Sequence, residues 1–118
     1  MNKNFDQTLF NRWLELRESH ATAKREKDYR RIIDTGDALI TLAGQAPFIG
    51  IVVAIFKRDI ADAYSELSEP TQAIAHYRAA IAAFEKHRAT KKLNKPDDFL
   101  LDLERLRKKL SKLEAANK

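Results

Sequence analysis

Apolar residues recur every three or four positions along the whole chain, and no stretch alternates with a period of two. That spacing belongs to amphipathic helices, and the punctuation between the periodic stretches divides the chain into five. The first helix carries Phe5, Leu9, Trp13, Leu16 and His20 on one stripe, widened by Phe10 and Leu14. The polar run from Lys24 to Asp28 supplies the turn after it. In the second helix Tyr29, Ile32, Ile33, Gly36, Leu39, Ile40 and Ala43 share a face. Gly44, which has no Cβ to oppose a left-handed cap, is expected to stop it, with Pro47 soon after. Gly36 costs about 1 kcal/mol against alanine in a helix interior, so a neighbouring helix is expected to cross it closely.

The third helix begins near Pro47 and presents Phe48, Val52, Ile55, Phe56, Ile60, Ala63, Tyr64 and Leu67 on its main face. Ile49, Ile51 and Val53 make its first half apolar all round, which requires enclosure on most sides or a groove that a partner fills. Helix four starts at Ser68-Glu69-Pro70, where proline gives up a donor that would be unpaired anyway. Its stripe is Ala73, Ile74, Tyr77, Ala80, Ile81 and Phe84. The linker from Lys91 to Pro96 leads to helix five. There Asp97 and Asp98 would face the positive end of the helix dipole, and Phe99, Leu103, Leu106, Leu110 and Leu113 form a narrow seam.

Connections of two to six residues make successive helices antiparallel neighbours, so the expected fold is all-α, built of stacked helical hairpins. With 118 residues there is one domain, since two would each lack a core. Three glycines and three prolines exclude a low-complexity chain, and the absence of cysteine removes disulfides, thiol nucleophiles and Cys-ligated zinc. The first ten residues have no apolar run of signal-peptide length. The longest apolar run, Ala46 to Phe56, falls short of the roughly 20 residues of a membrane span. A cytoplasmic protein with no membrane contact is the expectation.

The segment from Ile60 to Ile81 carries an ordered set of apolar, small and aromatic positions: Ile60, Ala61, Tyr64, Ala73, Tyr77 and Ala80. Alanines let two helix backbones approach, and the tyrosines fill the space beside them. In type and order these six positions resemble a tetratricopeptide repeat, over about 34 residues. The usual glycine of the turn is Ser68 here, and the usual proline after the second helix is Glu85. The first hairpin can be laid on the second at an offset of 41 residues, Ile33 on Ile74 and Ile40 on Ile81. Ile32, Gly36 and Leu39 then meet Ala73, Tyr77 and Ala80, and the small-large order is lost. The resemblance therefore implies a degenerate hairpin over residues 1–45, a repeat-like hairpin over 47–90 and a terminal helix over 96–116.

In that family the first helix of each repeat lines a concave face that takes a peptide or a partner's helix. By position, the resemblance puts Ile55, Arg58, Asp62, Ser65 and Glu66 on such a groove. It implies an adaptor, chaperone or regulator binding a protein or peptide. Arg58 would grip a carboxylate, and Asp62 or Glu66 a basic side chain.

Of the net charge of +5, most lies after residue 90, where nine basic residues stand against five acidic. Arg105, Lys108, Lys109 and Lys112 could form a patch for an acidic partner or for phosphates, or be a solvated outer face. No aromatic interleaves them for base stacking, which argues against nucleic acid. An inhibitor or immunity-type protein also fits the composition. Homodimerisation could use the aromatic first helix or the helix-five seam, since so few repeats leave apolar ends open.

Catalytic spacing is absent. His20, His76 and His87 stand far apart and form no metal-ligand pattern, and each is expected at the surface or a groove edge. No glycine-rich phosphate loop or nucleophile elbow occurs. Neither an enzyme nor a cofactor or metal site is expected.

Overall fold

The computed structural model describes residues 7–45, 50–90 and 93–117. They form five helices, α1 (Gln7–Glu26), α2 (Tyr29–Ala43), α3 (Gly50–Glu66), α4 (Pro70–Thr90) and α5 (Leu100–Ala116), with no strand among the described residues. Packing is mainly sequential, each helix lying on the one before and the one after. Side chains also join α1 to α3 and α3 to α5. The molecule measures 55 × 34 × 20 Å, and its shortest dimension is about two helix diameters. None of the described helices is long and apolar enough to cross a membrane.

The α1–α2 and α3–α4 turns are built alike. Lys27 and Ser68 both adopt left-handed backbone, with φ of 56° and 57°. Asp28 N–H donates to the Ala23 carbonyl at 2.9 Å, and Glu69 N–H to the Tyr64 carbonyl at 3.0 Å. Lys27 N–H bonds back to Lys24, and Ser68 N–H to Ser65. Each is a Schellman closure, which satisfies the last carbonyls of one helix while reversing the chain. Proline at the start of α4 and the Asp28 side chain at the start of α2, accepting from Arg31 N–H, then serve the following N-termini.

Several expectations change. Gly44 is right-handed, with φ of −70°, and its N–H donates back to the Ile40 and Thr41 carbonyls, so no left-handed cap forms there. Phe5, Pro47, Phe48 and Ile49 lie outside the described residues. Asp97 and Asp98 precede α5 rather than opening it. The Asp98 carboxylate accepts the backbone N–H groups of Asn94 and Lys95 at 3.0 Å, and Arg88 holds the Pro96 and Asp98 carbonyls. The acid in the first turn of α5 is Asp102. This pinned turn makes the α4–α5 connection longer than the others.

Close packing of α3 on α4 rests on Ala61, Ala73 and Ala80, all fully buried beside Tyr77 and Phe84. Leu103 and Leu106 of α5 complete that core. The crossing expected at Gly36 is present, because a Cβ there would lie 2.8 Å from Ile60 Cγ1.

Candidate functional site

Three of the five predicted groove residues, Asp62, Ser65 and Glu66, lie on one side of α3, where the fold sets α5 against them. Lys109 Nζ on α5 donates to Asp62 Oδ1 at 2.9 Å, and the Tyr77 hydroxyl of α4 donates to the same oxygen. Burial, reinforced by the hydrogen bond to Asp62, pushes the Tyr77 hydroxyl far above its usual range, although a hydrogen bond from Ser65 works the other way. The phenol therefore keeps its proton and stays a donor. Around these groups is a depression of about 480 Å³ lined by Asp62, Ser65, Glu66, Tyr77, Lys109, Lys112 and Leu113. Lys112 and Glu66, both exposed, take part in no ion pair among the described residues.

The other predicted residues go elsewhere. Ile55 packs on the α3–α4–α5 core. Arg58 bridges helices, its guanidinium 3.5 Å from Asp59 and 3.6 Å from Asp102 of α5. The basic patch divides: Arg105 shares the face of Asp102, Lys109 and Lys112 by helical spacing, while Lys108 lies 3.8 Å from Glu104 one turn back. The carboxyl-bearing groove and part of the basic helix, separate in sequence, thus meet in one depression.

Behind α3 is a buried polar cluster that joins three helices. His20 Nε2 lies 2.9 Å from Asp59 Oδ2, and its Nδ1 lies 2.7 Å from Thr35 Oγ1. Thr35 Oγ1 is also 2.7 Å from the Arg31 carbonyl one turn back in α2. Burial by itself would raise the Asp59 carboxyl, but the His20 hydrogen bond and the Lys24 and Arg58 cations outweigh it and hold the group below the ordinary carboxylate range. Asp59 is thus ionised and accepts, so Nε2 of His20 carries the proton. His20 is only 3% exposed, which corrects its expected surface position. His76 is half-buried, its ring stacked on Tyr64 at 5.0 Å.

No family model, curated protein or solved structure matches the chain. Its chemistry is therefore read from its own residues. Among the described residues no group of three His, Cys, Asp or Glu could hold a metal ion. Thr35 and His20 are buried, while Asp59 also lines a depression of about 140 Å³ with Lys24, Asp62 and Glu66, and the cluster joins α1, α2 and α3. Asp59 was legible as an anomaly: it occupies an inward position of the α3 stripe, one turn from Phe56 and Ala63, where an acid needs partners. His20, already on the apolar stripe of α1, was the partner to look for.

Proposed function

We propose that the chain is a protein-binding module, a small tetratricopeptide-like adaptor, chaperone or regulator that takes a peptide segment of a partner on the face formed by α3 and α5. The observation that carries this reading is the α3–α5 depression, where Glu66 and Lys112 stand as unpaired charges of opposite sign above Tyr77 and Leu113. Charges so placed select and orient a bound segment more than they add affinity. A segment carrying both a cation and an anion suits this pair. The neighbouring charges Asp62, Lys109, Arg58 and Asp102 are already matched within the molecule.

The test is capture from native extract, with and without nuclease and at two salt concentrations, by the natural chain and by Glu66→Lys and Lys112→Glu variants. The proposal expects a discrete protein bound with nuclease present and lost from both variants, with recovery in a partner carrying the reversed charges. Retention that nuclease abolishes would instead assign the basic helix α5 to nucleic acid, with Arg105 and Lys108 as its further contacts.

A further inference from the structure

On the other side of α3 is a larger groove, of about 740 Å³, lined by Val53 and Lys57 of α3 and by Ala79, Ala82, Ala83, Lys86, His87 and Thr90 of α4. Its floor is small and apolar because α4 presents alanine at three positions of one face. A volume of this size falls within the roughly 300–1,000 Å³ of small-molecule sites, which are mostly apolar with a few polar groups. No acidic residue lines it, and neither Lys57 nor Lys86 makes an ion pair among the described residues. The His87 ring also packs edge-on against Phe99 at 5.5 Å, and its Nδ1, without a hydrogen-bond partner among the described residues, is shielded from solvent and does not open into the groove.

The helices are antiparallel, Asp62 meeting Tyr77 and Tyr64 meeting His76, so Val53 lies beside Lys86 and Lys57 beside Ala82. One end of the groove therefore gathers Lys86, His87 and Thr90 within a single turn. From Ala79 to Thr90 the floor runs about 16 Å along the α4 axis at about 1.5 Å per residue. An unbranched apolar chain can lie along it.

We propose that this groove is a second binding site, for a medium-chain carboxylate, with the acyl chain on Val53, Ala79, Ala82 and Ala83 and the head group at Lys86 beside His87. The long apolar stem of Lys86 covers the chain while its ammonium meets the carboxylate. Lys57, beside the middle of the floor, adds positive potential and disfavours cationic amphiphiles.

The probe is monomeric dodecanoate, titrated calorimetrically into the full chain, with dodecylammonium as the match of opposite charge and phosphatidylglycerol vesicles, whose head group is a phosphodiester, as an anionic membrane control. Saturable one-to-one binding of dodecanoate is expected, with dodecylammonium weaker by about tenfold or more, or about 1.4 kcal/mol. Ala82→Trp fills the groove from an exposed position, and Lys86→Glu reverses the head-group charge. Each is expected to weaken dodecanoate by about tenfold or more with the helical melting curve unchanged. Equal binding of the two amphiphiles, binding that survives both substitutions, or association with vesicles alone would overturn the proposal. Glu66→Lys and Lys112→Glu leave dodecanoate binding intact, so this site and the α3–α5 depression stand or fall separately.

Discussion

Lys27 and Ser68 close their hairpins with the same pair of hydrogen bonds, yet Trp13, His20 and Gly36 of the first hairpin stand where the second has Ala54, Ala61 and Tyr77. All six positions are buried. Sizes differ at Leu39 against Ala80 as well, there with the larger side chain on the second helix of the first hairpin. The interhelical space is filled either way, and what the two hairpins share is the order of inward positions rather than of residue sizes.

A second difference is chemical. The α3–α4–α5 core is continuous and apolar apart from the Tyr77 hydroxyl at its edge. The core of α1, α2 and α3 falls into two clusters, one around Trp13, Leu39 and Phe56 and the other around Ile32, Ile33 and Ile60. Between them lies the His20–Thr35–Asp59 cluster, with the His20 ring edge-on to Phe56 at 5.1 Å. Buried polar groups contribute little net stability but cost much when one partner is removed. The first hairpin is thereby more sensitive to a single change and more selective about which helices join it.

The largest effect expected from breaking this contrast is at Asp59. Asp59→Ala leaves the buried His20 Nε2–H without its acceptor, while the half-exposed Lys24 stays solvated, and should lose about 1–3 kcal/mol in denaturant unfolding. Replacing the cluster together, with His20→Leu, Thr35→Val and Asp59→Leu, makes the first core as apolar as the second. Its stability is expected to lie close to that of the natural chain or up to about 4 kcal/mol above it. A triple variant as unstable as Asp59→Ala would show that the contrast between the cores is not one of polarity.

The pH dependence sharpens the same point. The Asp59 pKa is lowered on folding, so its contribution is fully present above the unfolded carboxylate value of about 3.9 and is lost as pH falls through its folded value below that. Acid titration of stability is expected to steepen below about pH 4 in the natural chain, and less so in the apolar triple variant.

At Gly36 the added methyl of alanine should gain about 1 kcal/mol of helix propensity and lose about 1–3 kcal/mol by crowding Ile60. A net loss is expected, and a thermodynamic cycle with Ile60→Ala, which removes both the Cγ1 and Cδ1 contacts, should show the two changes coupled. The smallest effects are at the turns. Lys27→Gly and Ser68→Gly each relieve a left-handed backbone, and each should change stability by no more than about 1 kcal/mol, equally, because the two turns are the same. Unequal gains would show that the hairpins differ in backbone as well as in filling.

The candidate sites were legible in unequal measure. Asp62, Ser65 and Glu66 could be set on one helical face from spacing, and Lys109 and Lys112 on another, but their meeting depends on the angle at which α5 returns. That angle depends on the packing of Leu103 and Leu106 against α4 and on the long connection, where Arg88 of α4 holds the Pro96 carbonyl and Asp98 holds the turn. The α3–α4 groove gave less signal. Val53 belonged to an apolar surplus at the start of α3, whereas Ala79, Ala82 and Ala83 are ordinary residues of an alanine-rich helix until their bulk is found missing from a surface.

Helix identity, helix faces and the turn at Pro70 are local matters, settled by periodicity, backbone sterics and the donors free at a helix start, and the chain determined them by itself. Which volume each hairpin places on which helix, and that His20 and Asp59, 39 residues apart, share a hydrogen bond, were decided only in the folded molecule. The reason is physical: a 3.6-residue repeat states that a position points inward, while what it meets there depends on helices whose relative placement is a property of the whole packing.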